Sequence, residues 1–204
     1  MISRYNDKNY YLIFEVILNL EIDFNDLIKN AQDLNATHAA IANVKDLVFN
    51  EDFRKQCEQN ICGFYNTNWM CPPAFGPISN AKERVMRFQQ GLLIQSVHKL
   101  KSSFDWKGMM TAVADHTKIF RDILDSMEKN YSFKEILPLN AGPCTYCEKC
   151  GFLDGEKCRF PAQAVSSVEA NGIDVMDLEK KCGMPYYNGE NTVSYVGLIL
   201  FNVA

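Results

Sequence analysis

Apolar positions along the first third of the chain alternate between short strand-like runs and one stretch with helical spacing. Residues 10–20 (YYLIFEVILNL) are rich in β-branched and aromatic side chains and predict a strand. Asp23 is a predicted N-cap. The helix that follows has one apolar face, formed by Phe24, Leu27, Ile28, Ala31 and Leu34. Residues 37–49 are again strand-like, so the first third is predicted to be β-α-β.

The middle of the chain predicts a short helix, a strand and a long helix. Ser79 is a candidate cap for a helix over 81–88, and residues 91–97 (GLLIQSV) predict a strand. The long helix is expected to have a single apolar stripe, whose methionines fill the core rather than contact a cofactor. Its members are Trp106, Met109, Met110, Val113, Phe120, Ile123, Leu124 and Met127.

The last third is predicted to contain two strands and two helices. Residues 133–139 and 193–201 are strand-like, and residues 161–170 and 174–181 are predicted to be helical, with Asp174 as an N-cap. Because strands and helices alternate, we predict an α/β or α+β fold with a mixed sheet flanked by helices. Residues 1–204 are expected to form one metal-binding domain, with two cysteine-rich loops leaving the ends of the sheet.

Composition narrows the class of protein. The chain has 204 residues, 47% of them hydrophobic, which is enough for a sizeable core. Its net charge of -4 argues against a nucleic-acid partner. The most apolar stretch, Tyr10 to Leu20, is interrupted by Glu15 and Asn19 and resembles neither a membrane span nor a signal peptide. We therefore expect a cytoplasmic protein that does not cross a membrane, in which the eight cysteines stay reduced.

Four of the cysteines have the spacing of a metal site. Cys144, Cys147, Cys150 and Cys158 form a C-x2-C-x2-C-x7-C motif, followed by Arg-Phe-Pro. Bacterial ferredoxin motifs begin with the same C-x2-C-x2-C and end in C-x3-C-P, so the seven-residue gap is a departure from that pattern. Structural zinc sites usually pair two separated C-x2-4-C units. The compact triple therefore favours a [4Fe–4S] cluster, and a closed zinc site is the alternative.

A second group of cysteines precedes this motif. Cys57, Cys62 and Cys71 form a C-x4-C-x8-C-P-P motif in a segment rich in Gly, Asn and Pro. Turn residues of this kind allow the chain to fold back on itself, so the three sulfurs are expected to converge on one point. Three thiolates would leave one iron of a second cluster open to a substrate. One alternative is that one or two of these thiols complete the site of Cys144, Cys147, Cys150 and Cys158, or are simply buried. Another is a closed site in which Cys182 or a residue of the second motif supplies the fourth ligand.

Several ordered segments resemble a family of small microbial proteins described as predicted metal-binding proteins of unknown function. They begin near residue 50 and continue to the C-terminus. The segments are Cys57…Cys62-Gly-Phe-Tyr65, Trp69-Met-Cys71-Pro-Pro73, Gly142-Pro-Cys144-x2-Cys147-x2-Cys150, Cys158-Arg-Phe-Pro161, Ser167–Asp174 and Val196–Leu200. The resemblance implies metal binding and no particular reaction. Cys182 lies outside the shared motifs.

Three functions are compatible with these cysteines. The first is a redox or electron-transfer accessory that works with a redox partner protein. The second is an enzyme that activates a small-molecule substrate, for example a sulfur species, at an open cluster iron. The third is a structural zinc module that binds another protein.

Two cations near the cysteines, Arg54 and Arg159, could balance the charge of a cluster. Phe64, Tyr65 and Trp69 are candidate apolar walls of a site on the first cysteine motif.

Overall fold

A computed structural model describes residues 22–203, so the predicted strand over 10–20 lies outside the described part of the chain. The described residues form five α-helices and five β-strands. The helices are α1 (Phe24–Asp33), α2 (Asp52–Glu58), α3 (Ile78–Val85), α4 (Trp106–Asn130) and α5 (Val175–Lys181). The strands are β1 (His38–Asn43), β2 (Gln90–Lys99), β3 (Phe133–Asn140), β4 (Ser166–Ser167) and β5 (Thr192–Val203). The predicted mixed α/β composition is confirmed.

The five strands form one sheet in the order β1-β2-β5-β3-β4. All neighbours are antiparallel except β3 and β4, which pair in parallel through Leu139 with Ser166 and Asn140 with Ser167. The central strand β5 is buried from Val196 to Phe201 because helices and loops cover both faces of the sheet. The first cysteine motif begins at Cys57 in the last turn of α2 and continues through the loop that leads to α3, and the second connects β3 to β4.

Each face of the sheet has its own hydrophobic core. On one face α1 and α4 pack on the sheet, and the buried side chains include Leu27, Phe120 and Ile199. On the other face α3, α5 and the residues around β4 pack on side chains such as Leu93 and Leu198. Leu198 and Ile199 follow each other along β5 and lie in opposite cores, as the alternation of side chains along a strand requires.

Most predicted elements are confirmed, and two local predictions are wrong. Asp23 and Asp174 accept hydrogen bonds from backbone N–H groups as helix caps. Ser79, however, lies inside α3, which begins after Pro77 without a side-chain cap. Residues 161–170 do not form the predicted α-helix; they contain β4 and part of a short 3₁₀ helix (Glu169–Asn171). The buried Asn171 side chain donates to Ser166 Oγ and to the Ser167 carbonyl, and these contacts compete with helical pairing.

The predicted apolar stripe of α4 is buried only in its second half. Phe120, Ile123 and Met127 are fully enclosed, whereas Trp106 is 72% exposed and Met110 is half-exposed. The first turns of α4 extend past the helix α1 that packs beside its other end. None of the helices formed by residues 22–203 is both long enough and apolar enough to cross a membrane.

Candidate metal centre

The four cysteines of the second motif line one cavity. Cys150 precedes a 3₁₀ turn (Gly151–Asp154), and Gly155 takes a left-handed conformation with φ of 70°. The Glu156 N–H then donates to the Gly151 carbonyl at 2.8 Å, which turns the chain back on itself. The seven-residue gap therefore returns Cys158 to the other three cysteines. The cavity is lined by Cys144, Cys147, Cys150 and Cys158 together with Asn68, Trp69, Met70, Tyr146, Phe160 and Ala164.

The space enclosed by these residues is small, about 20 Å³. Beside Cys158 it adjoins a larger cavity of about 380 Å³, and Trp69 and Met70 line both. Within residues 22–203, no three Cys, His, Asp or Glu side chains converge closely enough to hold a single metal ion. The four cysteines of the second motif thus line a common space, and no three of them form a ready site for one ion.

The first motif is bent by residues in left-handed conformations. Asn60, Gly63 and Asn66 have positive φ angles of 52°, 76° and 59°. The Asn66 N–H donates to the Pro72 carbonyl at 2.7 Å and closes the loop. Asn68 is buried, and its side chain accepts a hydrogen bond from the Met70 N–H. The predicted turns are present, and they hold Asn68 and Met70 against the cavity of the second motif.

The three thiols of the first motif influence one another electrostatically. Burial raises the pKa of Cys71, a hydrogen bond from Asn68 opposes this, and the neighbouring thiols of Cys62, Cys57 and Cys144 raise it further. Burial also raises the pKa of Cys57, while Arg54 lowers it. A metal would therefore have to displace protons from Cys57 and Cys71 at neutral pH. Within residues 22–203, no three potential ligands lie close enough together to bind one metal ion. A second centre on Cys57, Cys62 and Cys71 therefore stays a prediction.

The two cysteine motifs are joined into one region. The half-buried Trp69 of the first loop donates from Nε1 to the Glu156 carbonyl of the second at 3.0 Å. Its ring meets the Phe152 ring edge-on, with the ring centroids 5.1 Å apart. The charge of Cys144 acts on Cys71, so the motifs also interact electrostatically. The sequence leaves open whether the two motifs meet, because no local pattern decides between separate sites and a shared one.

The aromatic and basic residues predicted to surround the cysteines do not all lie beside one site. Trp69 lies against the second motif, Phe64 is exposed, and Tyr65 lines a separate cavity with Arg54 and Pro72. Arg54 donates to the Ala170 carbonyl at 3.5 Å. The Arg159 side chain donates to the Lys149 carbonyl and braces the second loop.

Two cations that sequence reasoning missed, Arg84 and Lys157, line the larger cavity together with Cys158. Arg84 donates to Asn171 Oδ1 at 3.0 Å and stacks over the Phe75 ring. It lies on α3, 74 positions before Cys158, so no sequence spacing links the two. Cys182 ends α5 and packs against the core, where Asp46 is the charged group that acts on its thiol.

Comparison with known families decides what kind of protein carries this arrangement. The family model described as predicted metal-binding protein (DUF2284) matches residues 40–201, which include all eight cysteines. The chain belongs to this family. Its description gives metal binding and does not specify the metal or a reaction. No curated protein and no solved structure matches the chain.

The donors present fit the metal binding expected of a DUF2284 protein. All eight cysteines are free thiols. Four of them line one cavity, and the turn over Gly151–Gly155 brings the chain back to it. Thiolates bind zinc and iron–sulfur clusters and are poor ligands for calcium or magnesium. A soft metal or an iron–sulfur cluster therefore fits this site.

Replacing Trp69 by phenylalanine should loosen the centre. The Trp69→Phe variant keeps an aromatic ring beside Phe152 but loses the hydrogen bond to the Glu156 carbonyl. Because groups that position metal-binding loops affect metal affinity strongly, we expect metal to be lost to a chelator about 10-fold faster. The matched control is Trp106→Phe, since Trp106 is exposed at the start of α4. Equal rates of metal loss in the two variants would contradict this role for Trp69.

Proposed function

We propose that this protein holds a [4Fe–4S] cluster on Cys144, Cys147, Cys150 and Cys158 and acts as a redox or electron-transfer accessory. The observation that carries the proposal is that all four cysteines of the second motif line one cavity. When bound, such a cluster supplies one-electron transfer. A cytoplasmic location would keep these thiols reduced and available to the cluster.

The spacing of the cysteines supports iron over zinc. Structural zinc sites usually pair two separated C-x2-4-C units. Cys144, Cys147 and Cys150 instead follow one another in a single compact run, as in bacterial ferredoxins. The enclosed volume of about 20 Å³ points the other way, towards a single ion, and keeps zinc as the alternative.

Residues around the cavity would tune the cluster. Trp69, Tyr146 and Phe160 limit access of water, which affects the reduction potential of a buried cluster. Arg84 and Lys157 bring positive charge to the side of Cys158. Positive charge favours the more negative, reduced state and raises the potential.

Metal and sulfide analysis tests the proposal. Protein purified without oxygen is expected to be brown and to contain about four irons and four sulfides per occupied cluster. Colourless protein with stoichiometric zinc would contradict the redox proposal. It would support the alternative of a structural zinc module that binds a partner protein. An iron content near eight per chain would support a second cluster on Cys57, Cys62 and Cys71.

A second candidate function is an enzyme that activates a small sulfur species beside the cluster. The observation that favours it is the cavity of about 380 Å³ lined by Arg84, Lys157 and Cys158, with no carboxylate among its lining residues. Two cations next to a cluster ligand suit a small anion. Sulfite added to anaerobic protein would change the visible spectrum in this case. An unchanged spectrum would favour electron transfer to a partner protein.

A further inference from the structure

A cavity separate from the cysteine cavity lies beside α5 and has a volume of about 570 Å³, within the range of small-molecule sites. It is bounded by α5, by the loop that follows it and by the first half of β5. Phe53 and Ala141, near the beginnings of the two cysteine loops, line its far side. Glu169, Asp174 and Glu179 all contribute to the lining, which contains no Lys, Arg or His.

Glu179 is the most unusual of these residues because its side chain is only 1% exposed. Its Oε1 accepts a hydrogen bond from Gln95 Nε2 at 2.5 Å. No Lys, Arg or His within residues 22–203 forms a salt bridge with it. The nearby Lys181 is used elsewhere, on Asp177 and on the Asp46 carbonyl. A buried carboxylate without a counter-charge is unfavourable, and a bound cation would relieve that cost.

A network of side-chain amides holds this carboxyl group in place. Gln95 donates to Glu179 and also to the Pro185 carbonyl, at 2.9 Å. Asn188 donates to Ser194 Oγ at 2.9 Å, to the Pro185 carbonyl at 3.1 Å and to Gln95 Oε1 at 3.3 Å. The loop after α5 is thereby tied to β2 and β5, so the position of the acid is fixed before any ligand binds.

Burial and mutual repulsion disfavour the ionised forms of two acids that line the cavity. Burial raises the pKa of Glu179, and the charge of Glu169 raises it further against the opposing hydrogen bond from Gln95. Glu169 is exposed to solvent, although the protein packed around its carboxyl group raises its pKa by desolvation. A bound cation would favour the ionised form of both groups.

Aromatic side chains stand at the mouth of the cavity. Tyr186 is 61% exposed and Tyr187 is 73% exposed, and both line it. Val175, Met176 and Val193 add apolar surface beside the acids. Aromatic faces attract cations, and apolar walls bind hydrocarbon groups. We propose that this cavity binds a small molecule that carries a protonated amine next to an apolar group. This inference does not depend on which metal the cysteines hold.

Titration with 2-phenylethylamine and 3-phenylpropionate tests the proposal, because the two probes have similar apolar groups and opposite charges. Affinities are measured by calorimetry on metal-loaded protein, and backbone NMR shifts identify the residues affected. We expect the amine to bind at least about 10-fold more tightly than the carboxylate and to shift the signals of Asn188 and Tyr195. Equal binding of the two probes, or no binding of the amine, would overturn the proposal.

Variants locate the charge that selects the amine. Glu179→Gln should weaken amine binding by about 10-fold or more, while Glu128→Gln on the exposed surface of α4 should leave it unchanged. Tyr187→Ala gives a second test that does not disturb the core, because Tyr187 is largely exposed. It should weaken the amine several-fold through loss of the aromatic face. Amine binding that is unchanged in both Glu179→Gln and Tyr187→Ala would rule out this cavity as the site.

Discussion

Replacing Cys147 by serine is expected to abolish the cluster, reducing iron at the second motif from about four per chain to nearly none. Cys147 is the middle member of the compact triple and lines the cavity with the other three cysteines. A serine hydroxyl has a far higher pKa than a thiol and is a poor ligand for iron in this setting. Iron, sulfide and visible absorbance of anaerobically purified protein measure the loss.

The control for this variant is Cys182→Ser. Cys182 packs against the core at the end of α5 and does not line the cavity. Its replacement should leave iron content and spectrum unchanged. A Cys147→Ser protein that keeps its full iron and spectrum would contradict the ligand assignment. Loss of iron in Cys182→Ser would instead support the alternative in which Cys182 is the fourth ligand of a site on Cys57, Cys62 and Cys71.

Truncating Phe120 should cause a large loss of stability. Phe120 is fully buried on α4 and packs directly on the backbone of β5. A Cβ atom added at Gly197 would lie 2.5 Å from the Phe120 ring, which shows how closely helix and strand approach. Phe120→Ala therefore leaves a cavity at the centre of one core. We expect it to reduce the free energy of unfolding by about 3–5 kcal/mol.

Phe104→Ala is the matched control, because the same side chain is 94% exposed just before α4. Its effect on the free energy of unfolding should stay within about 0.5 kcal/mol. Urea unfolding of both variants at fixed metal occupancy provides the comparison. A Phe120→Ala protein as stable as Phe104→Ala would mean that the packing of α4 on β5 contributes little to the fold.

Regular elements were predictable because their patterns are local. The helix after Asp23 and the strand over 91–97 follow directly from capping and hydrophobic spacing. The apolar stripe of α4 predicted burial for Trp106 as well, but burial depends on what packs beside each turn. Residues 161–170 were predicted as a helix because the side-chain contacts of Asn171, which lies just beyond them, cannot be deduced from propensity.

Features of the site that depend on distant parts of the chain were not predictable. The contact between Trp69 and Glu156 joins the two motifs through residues that are 87 positions apart, and no periodicity indicates it. Arg84 lines a cavity with Cys158 from its place on α3, and sequence spacing does not indicate this either. The buried Glu179 had the appearance of an ordinary charged residue on a short helix. Spacing within a motif predicts which residues can share a metal, whereas tertiary packing determines what surrounds them.

Anomalous X-ray diffraction at the iron and zinc absorption edges, from crystals grown without oxygen, would identify the metal at the second cysteine motif. We expect strong iron signal in the cavity lined by Cys144, Cys147, Cys150 and Cys158, with electron density for four irons. A single zinc ion bound by these four cysteines would contradict this expectation, and so would an iron cluster bound elsewhere in the chain.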